Sequence, residues 1–215
     1  MKDKAIIVGA GTYGQVYAEY LKEEYKILAF YDDDESIIHS TINNVLVAGK
    51  IKEAFELDKN IAVFVPIGNN SVRLKILKEF ENRGFSIPTF IHPKAIVHDS
   101  VGIGKAVYIL SGTNIMPLSN IGDYCMISVN SIVSHHTTLG EGVFLSFGVN
   151  IGASLLLDDL TYVGIGATVM TGVNTVGKGS LIGAGAVIIK DVPDGATVVG
   201  NPGRIIKMKE IVTRN

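Results

Sequence analysis

The sequence predicts two folds in one chain: a small α/β unit built on a βαβ opening over residues 1–90, then an all-β parallel solenoid over residues 91–215. Three observations carry this. Every sixth residue from Ile91 to Val169 is a branched aliphatic, and after one extra residue near Thr175 the count resumes at Val176, Ile182 and Ile188. Four places after each stands a second inward residue, small or modest in most hexads, as at Thr113, Ser119, Cys125 and Ser131, and larger at Leu155. Glycine is skewed, with only six of 24 before residue 91, where the chain opens instead as strand, Gly-rich turn, helix and strand.

In chain order, Ala5 to Val8 is a buried strand, and Gly9-Ala10-Gly11-Thr12-Tyr13-Gly14 follows it directly. A helix comes next, with Tyr17, Tyr20 and Leu21 as its apolar stripe and an end near Tyr25. The second strand, Ile27 to Tyr31, runs into Asp32-Asp33-Asp34-Glu35. This is the opening of a Rossmann-like unit. The glycines permit a tight turn and let backbone N–H groups at the helix start approach a phosphate, and an acid after the second strand reaches ribose hydroxyls. A third strand, Ala62 to Val65, leads through Pro66-Ile67-Gly68-Asn69-Asn70 into a helix with Val72, Ile76, Leu77 and Phe80 on one face, stopped at Gly84. Asn69 and Asn70 also suit capping of that helix. Ninety residues hold one mononucleotide half, whereas a dinucleotide fold uses two, so the expected ligand is a nucleotide other than NAD.

From Ile91 onward neither a 3.6-residue nor a 2-residue period accounts for apolar residues at the first and fifth places of a six-residue unit. A short extended segment and a corner take about six residues, and three such sides close a triangular coil of about eighteen. The first and fifth residues point inward and stack on their counterparts above and below. Gly104, Gly122 and Gly140 recur at eighteen-residue intervals and are read as corners where a missing Cβ eases the bend. Cys125 falls on an inward position as a packing thiol, and as the only cysteine it excludes an intrachain disulfide.

Net charge is −2, with 19 basic and 21 acidic residues interspersed, and no basic stripe marks a nucleic-acid surface. The apolar run after Met1-Lys2-Asp3-Lys4 is too short for a signal peptide, and no segment has the length to span a bilayer. The expectation is a cytoplasmic protein that binds neither nucleic acid nor membrane.

The Gly-rich βαβ unit, the Asp32-Asp33 pair, the Ile67-Gly68-Asn69-Asn70 segment before an Arg-containing helix, and hexads ending in Gly200-Asn201-Pro202-Gly203-Arg204 together resemble the bacterial sugar acyltransferases typified by the amino-sugar N-acetyltransferases of glycan biosynthesis. The resemblance covers essentially the whole chain. It implies a left-handed parallel β-helix, whereas the general rule for parallel crossovers is right-handed. It also implies a homotrimer that holds acetyl-CoA between subunits, with Leu155, Leu156 and Phe147 on the apolar outer face. The N-terminal unit would bind the nucleotide of a nucleotide-linked 4-amino-4,6-dideoxysugar. Gly9, Gly11 and Gly14 would then line the pyrophosphate side with Tyr13, which stands where some relatives carry histidine. Asp32 and Asp33 would meet base and ribose, and Gly68, Asn69 and Asn70 the same pocket. On the β-helix, Ser146, Gly152, Ala153, Gly164 and Gly166 would hold acetyl-CoA. Relatives of this architecture also O-acetylate sugars such as sialic acid, and a non-catalytic nucleotide-sugar-binding scaffold is a further alternative.

Of five histidines, His39 lies in a polar loop and His92 and His98 at outward positions of the first coil; all three are read as surface residues. His135 and His136 sit mid-solenoid in Ser134-His135-His136-Thr137-Thr138-Leu139-Gly140-Glu141. Acyl transfer to an amine needs a base, a donor to the developing oxyanion, and alignment of both substrates. A histidine suits the first, with an unperturbed pKa of about 6.5, and a backbone N–H near Gly152 or Ala153, one coil above His135, is the candidate for the second. The resemblance places the base at His135. Its neighbour in the family is acidic and here is His136, so Glu141 or a carbonyl is the candidate for orienting the ring. The alternative is two solvated histidines. No His/Cys/Asp cluster has structural zinc spacing, and neighbours in a strand project to opposite faces, so no metal is expected.

Overall fold

The computed structural model describes residues 2–209, and the chain splits into two compact units, Met1–Pro88 and Thr89–Asn215.

The first unit is a five-stranded sheet flanked by two helices. Strands β1 (Asp3–Val8), β2 (Tyr25–Tyr31), β3 (Thr41–Ile42), β4 (Val45–Gly49) and β5 (Ala62–Phe64) lie in the order β3-β4-β2-β1-β5, parallel except for β3. Ala5, Ile6, Ile7 and Val8 are buried, as a central strand covered on both faces requires. Helix α1 (Thr12–Leu21) stops four residues before the expected Tyr25. Tyr25 instead begins β2 and sets its ring edge-on to Phe64, with centroids 5.1 Å apart. The β3–β4 hairpin was not expected. Its turn residues Asn43 and Asn44 both adopt positive φ, 49° and 63°, the conformation that a two-residue hairpin turn demands and that asparagine tolerates.

Helix α2 (Asn70–Asn82) buries Asn70, Arg73, Leu77 and Phe80. The expected face was therefore rotated: Val72 is 43% exposed, and Arg73 is wholly buried, its Nη1 donating to the Ile67 carbonyl at 2.8 Å. A guanidinium goes inward here because it satisfies the carbonyl of the segment that leads into the helix.

The second unit is the solenoid, and its three walls are sheets of parallel two-residue strands, one of them extended by Ala196–Val199 and, antiparallel to it, Arg204–Met208. Pairing advances by eighteen residues: Asn114 meets Ile132, Asn120 meets Thr138, and Met126 meets Phe144. In the last coil it advances by sixteen, from Leu181 to Thr197, and across the extra residue by nineteen, as from Leu156 to Thr175. Asp191 holds this irregularity, its Oδ1 accepting from the backbone N–H groups of Asn174 at 2.6 Å and Thr175 at 3.3 Å. The first-position aliphatics from Ile109 to Ile188 form one buried core, while Ile91, at the open end, is 39% exposed. Leu155 belongs to that core, 4% exposed, so it is not part of the outer face; Leu156 and Phe147 are exposed.

The glycines every eighteen residues have a different cause from the one expected. Gly104, Gly122 and Gly140 do not take positive φ. A Cβ on Gly122 would lie 2.8 Å from the Gly140 carbonyl group and the Leu139 oxygen, so these positions admit the backbone of the next coil. The bends occur two residues later, where all three corners use left-handed residues: Tyr124, Gly142 and Leu160; Gly112, Asn130 and Gly148; Leu118, His136 and Ser154.

The inward fifth-position residues also do more than fill space. Thr113, Ser119, Cys125, Ser131 and Thr137 each donate to the carbonyl fifteen residues on, at 2.8 to 3.1 Å. A narrow core with exposed corner carbonyls inside it is thus satisfied by short side chains.

Candidate functional site

In the first unit a cavity of about 290 Å³ opens at the carboxyl ends of the strands, lined by Gly9, Gly11, Thr12, Tyr13, Gly14, Asp32, Pro66, Ile67 and Gly68. This is where open α/β sheets place ligands. Gly9 adopts φ +95°, and its N–H donates to the Tyr31 carbonyl. Gly14 lets α1 close onto β1, since a Cβ there would lie 1.8 Å from the Gly9 oxygen. Gly11 caps α1 with no side-chain bond, no acid lies in the first turn, and nothing stands within 4 Å of where its Cβ would be. The helix start therefore opens onto free space at Gly11 with no acid in its own first turn, an arrangement suited to an anion. Tyr13 lies across Gly68, where a Cβ would meet its Cε2 at 3.3 Å.

Asp32 braces the loop: its Oδ2 accepts from Ala10 N–H at 2.7 Å and its Oδ1 from Asp34 N–H at 3.0 Å. Each carboxylate oxygen keeps a further lone pair for a hydroxyl. Three expected residues do not line the cavity. Asp33 accepts from Ile51 N–H at 3.1 Å at the start of the 3₁₀ turn Ile51–Glu56, Asn69 caps α2 by accepting from Val72 N–H at 3.1 Å, and Asn70 is buried on α2. Thr12, Pro66 and Ile67 line it unforeseen. Thr12, between Gly11 and Tyr13, and Ile67, beside Gly68, had adjacency as their signal; Pro66 had none.

In the second unit His135 and His136 are exposed at one corner of the prism. His136 takes φ +57°, and its N–H donates to the Pro117 carbonyl at 3.4 Å. The bend brings the two rings together where strand alternation would have separated them. Their Nδ1 atoms are 3.0 Å apart and their planes at 90°.

Glu141 is not brought to His135. It sits at the next corner, its N–H donating to Asp159 Oδ1 at 2.9 Å, in the field of Lys178. Asp159 holds the Lys178 ammonium 3.0 Å away and raises its pKa, with Glu141 adding to the effect. The oxyanion donors are also otherwise engaged: Gly152 N–H donates to the Val169 carbonyl at 2.8 Å and Ala153 N–H to Thr171 Oγ1 at 3.0 Å. The first is a bond of the coil-to-coil backbone ladder, the second a bond to a side chain of the next coil. The five residues expected against acetyl-CoA divide between two corners. Gly152 and Ala153 share that of His135; Ser146, Gly164 and Gly166 approach another, marked by the left-handed Gly148 and Gly166. No group of three potential metal ligands occurs among the described residues, nor among them is any helix long and apolar enough to cross a membrane.

A cavity at a Gly-rich strand-to-helix turn of an α/β unit, in one chain with a hexapeptide β-helix that displays a histidine pair, is the plan of a sugar acyltransferase. The family described as the PglD N-terminal domain matches residues 4–80. GDP-perosamine N-acetyltransferase of Escherichia coli O157:H7 is 30% identical over 94% of this chain and 95% of its own length. The acetyltransferase domain of PglB from Neisseria gonorrhoeae superposes with a TM-score of 0.89 at 30% identity, over 95% of this chain and all of that one. A histidine-to-alanine variant of GDP-perosamine N-acetyltransferase from Caulobacter crescentus, solved with CoA and GDP-perosamine, gives 0.85 at 29%, over 95% and 97%. This chain belongs to the nucleotide amino-sugar N-acetyltransferase family.

Proposed function

We propose that the chain moves acetyl from acetyl-CoA to the 4-amino group of a nucleotide-linked 4-amino-4,6-dideoxysugar, in the cytoplasm, with His135 as the base. The observation that carries this reading is that the likeness spans both units, the nucleotide cavity as well as the β-helix. The diphosphate occupies the start of α1 between Gly9, Gly11 and Gly14, with Tyr13 and Gly68 on the opposite wall and Asp32 beneath the ribose. The neutral amine attacks the thioester carbonyl carbon, and His135 Nε2 takes the proton that the nitrogen loses. As the C–S bond breaks, that proton passes to the departing sulfur, giving the amide and CoA. With Gly152 N–H on the Val169 carbonyl and Ala153 N–H on the Thr171 hydroxyl, the oxyanion requires a donor outside that pair.

Leu156, Phe147, Ile165 and Met170 are each at least 36% exposed, an apolar surface suited to burial between copies of the chain. We take the assembly to be a homotrimer with acetyl-CoA between subunits. Light scattering that shows a monomer at micromolar concentration would remove that part. The activity is tested by CoA release with GDP-, UDP- and dTDP-linked 4-amino sugars. Amide formation on one of them that is lost in His135→Asn supports the reading, while transfer only to a sugar hydroxyl, or none, overturns it.

A further inference from the structure

We propose that His136 is the positioning residue for His135, doing in this chain what an acidic neighbour does in the pattern the sequence resembles. The inference rests on the reading of His135 as the base. Two ring nitrogens 3.0 Å apart share one hydrogen: one Nδ1 donates and the other accepts. The two arrangements have opposite consequences. With the hydrogen on His135 Nδ1, its Nε2 presents a lone pair and can take a proton. With the hydrogen on His136, His135 carries its own on Nε2 and cannot. The base therefore requires His136 Nδ1 as the acceptor, with the remaining hydrogen of His136 on Nε2. When His135 takes the amine proton on Nε2, its Nδ1–H goes on donating to a neutral His136, and the acquired proton leaves from Nε2 to the sulfur. His136 neither gains nor loses a proton.

Backbone geometry makes the pair. An extended dipeptide sends successive side chains to opposite faces, but residue 136 stands at a left-handed corner in register with Leu118 and Ser154, at φ 63° and 60°. The coil on each side fixes that corner, through Pro117 below and through Ser154 N–H, which donates to the His135 carbonyl at 3.0 Å. The ring contact is thus built into the repeat.

Nitrogen-15 NMR of the histidine-labelled chain reads the arrangement directly. Wild type is expected to hold His135 as the Nδ1–H tautomer, and His136→Ala to shift it toward Nε2–H. His136→Ala should lower kcat about 10- to 100-fold, the range for partners that orient a functional imidazole, with KM for both substrates little changed. His136→Asn should restore most of the rate, since its Oδ1 accepts the same hydrogen and asparagine tolerates positive φ. A wild-type His135 in the Nε2–H form, or a His136→Ala variant with wild-type kcat, overturns the proposal. An inactive wild type would overturn the functional reading instead, and the tautomer measurement would still decide whether His136 orients His135.

Discussion

One methyl group at Gly11 should separate ligand binding from folding, and one at Gly14 should do the reverse. Gly11 has φ −65°, ordinary for any residue, and an added Cβ finds nothing within 4 Å. Alanine at a helix N-cap loses roughly 0.5 kcal/mol relative to glycine, and it recovers a similar amount by restricting the unfolded chain. Gly11→Ala should therefore melt within about 2 °C of wild type. Its methyl, however, projects into the space before the N–H groups of α1. Losing one charge-assisted hydrogen bond costs about 2 kcal/mol, or roughly thirtyfold in Kd for the nucleotide sugar. Gly14→Ala puts its Cβ 1.8 Å from the Gly9 oxygen. The two must part by about 1 Å or more, while hydrogen bonds from Gly9 N–H to Tyr31 and from Ala10 N–H to Asp32 pin the loop. Overpacking typically costs 1–3 kcal/mol, and with backbone on both sides about 3 kcal/mol is expected, a fall of roughly 6–12 °C in the melting midpoint. Calorimetry with the GDP-linked amino sugar and thermal melts of both variants test this. A Gly11→Ala protein that binds normally, or a Gly14→Ala protein that melts like wild type, refutes the assignment of the cavity and of the two glycines.

His135→Asn should lose about 10² to 10⁴ in kcat, with the fold and both substrate affinities kept, as single-turnover kinetics would show. Ser131→Ala removes a buried donor from the Ser146 carbonyl at 2.9 Å and should cost about 1–2 kcal/mol by denaturant titration, whereas Cys125→Ser, which installs the hydroxyl that Ser119 and Ser131 already use, should change stability by about 0.5 kcal/mol or less. Hydrogen bonds from Asn174 backbone and side chain, and then from Thr175, hold the Asp191 carboxyl below its ordinary pKa. A lowered folded pKa means that its stabilisation is fully present above the unfolded value of about 4 and is lost as pH falls through the folded one. Asp191→Ala should accordingly be less stable at pH 7, with the gap to wild type closing in acid; a gap that stays constant down to pH 2 would remove Asp191 as the clamp of the insertion.

What could be seen in the sequence divides according to how local its cause is. The six-residue period shows where a wall stands, because branched aliphatics must stack on their own kind eighteen residues away. It could not distinguish the two reasons for glycine, since close approach at Gly122 and a left-handed bend at Gly142 write the same letter. At the bends the letter is often not glycine at all: Tyr124, Leu118 and Leu160 accept φ near 60° because the coils on either side over-determine them. The β3–β4 hairpin had a local signal in Asn43-Asn44 and could have been found. Inward Arg73 had none, because its reason is a carbonyl six residues away, at Ile67.

The same division governs the site. Gly9, Gly11, Gly14 and Asp32 were legible as neighbours because a tight strand-to-helix turn needs a fixed sequence of conformations, and the structure gathers them around one cavity. Asn69 was ambiguous because an acceptor just before a helix can cap it or meet a ligand, and here it caps; Asp33 carried no such signal, since the Ile51 N–H it accepts from lies eighteen residues further along the chain. At the histidine pair, alternation along a strand was the wrong local rule, since residue 136 is a corner and not a strand residue. Once the corner is recognised, the missing acid no longer argues against a base at His135: the lone pair that a carboxylate would present to Nδ1–H is presented by His136 Nδ1 at 3.0 Å. A carboxylate would add a charge that favours the protonated ring and a neutral imidazole does not, so the substitution preserves orientation while giving up electrostatic assistance. The chain should then gain rate when His136 is replaced by Asp, an acceptor of similar reach that is also charged. A His136→Asp variant slower than His136→Ala would show that orientation is not what residue 136 contributes.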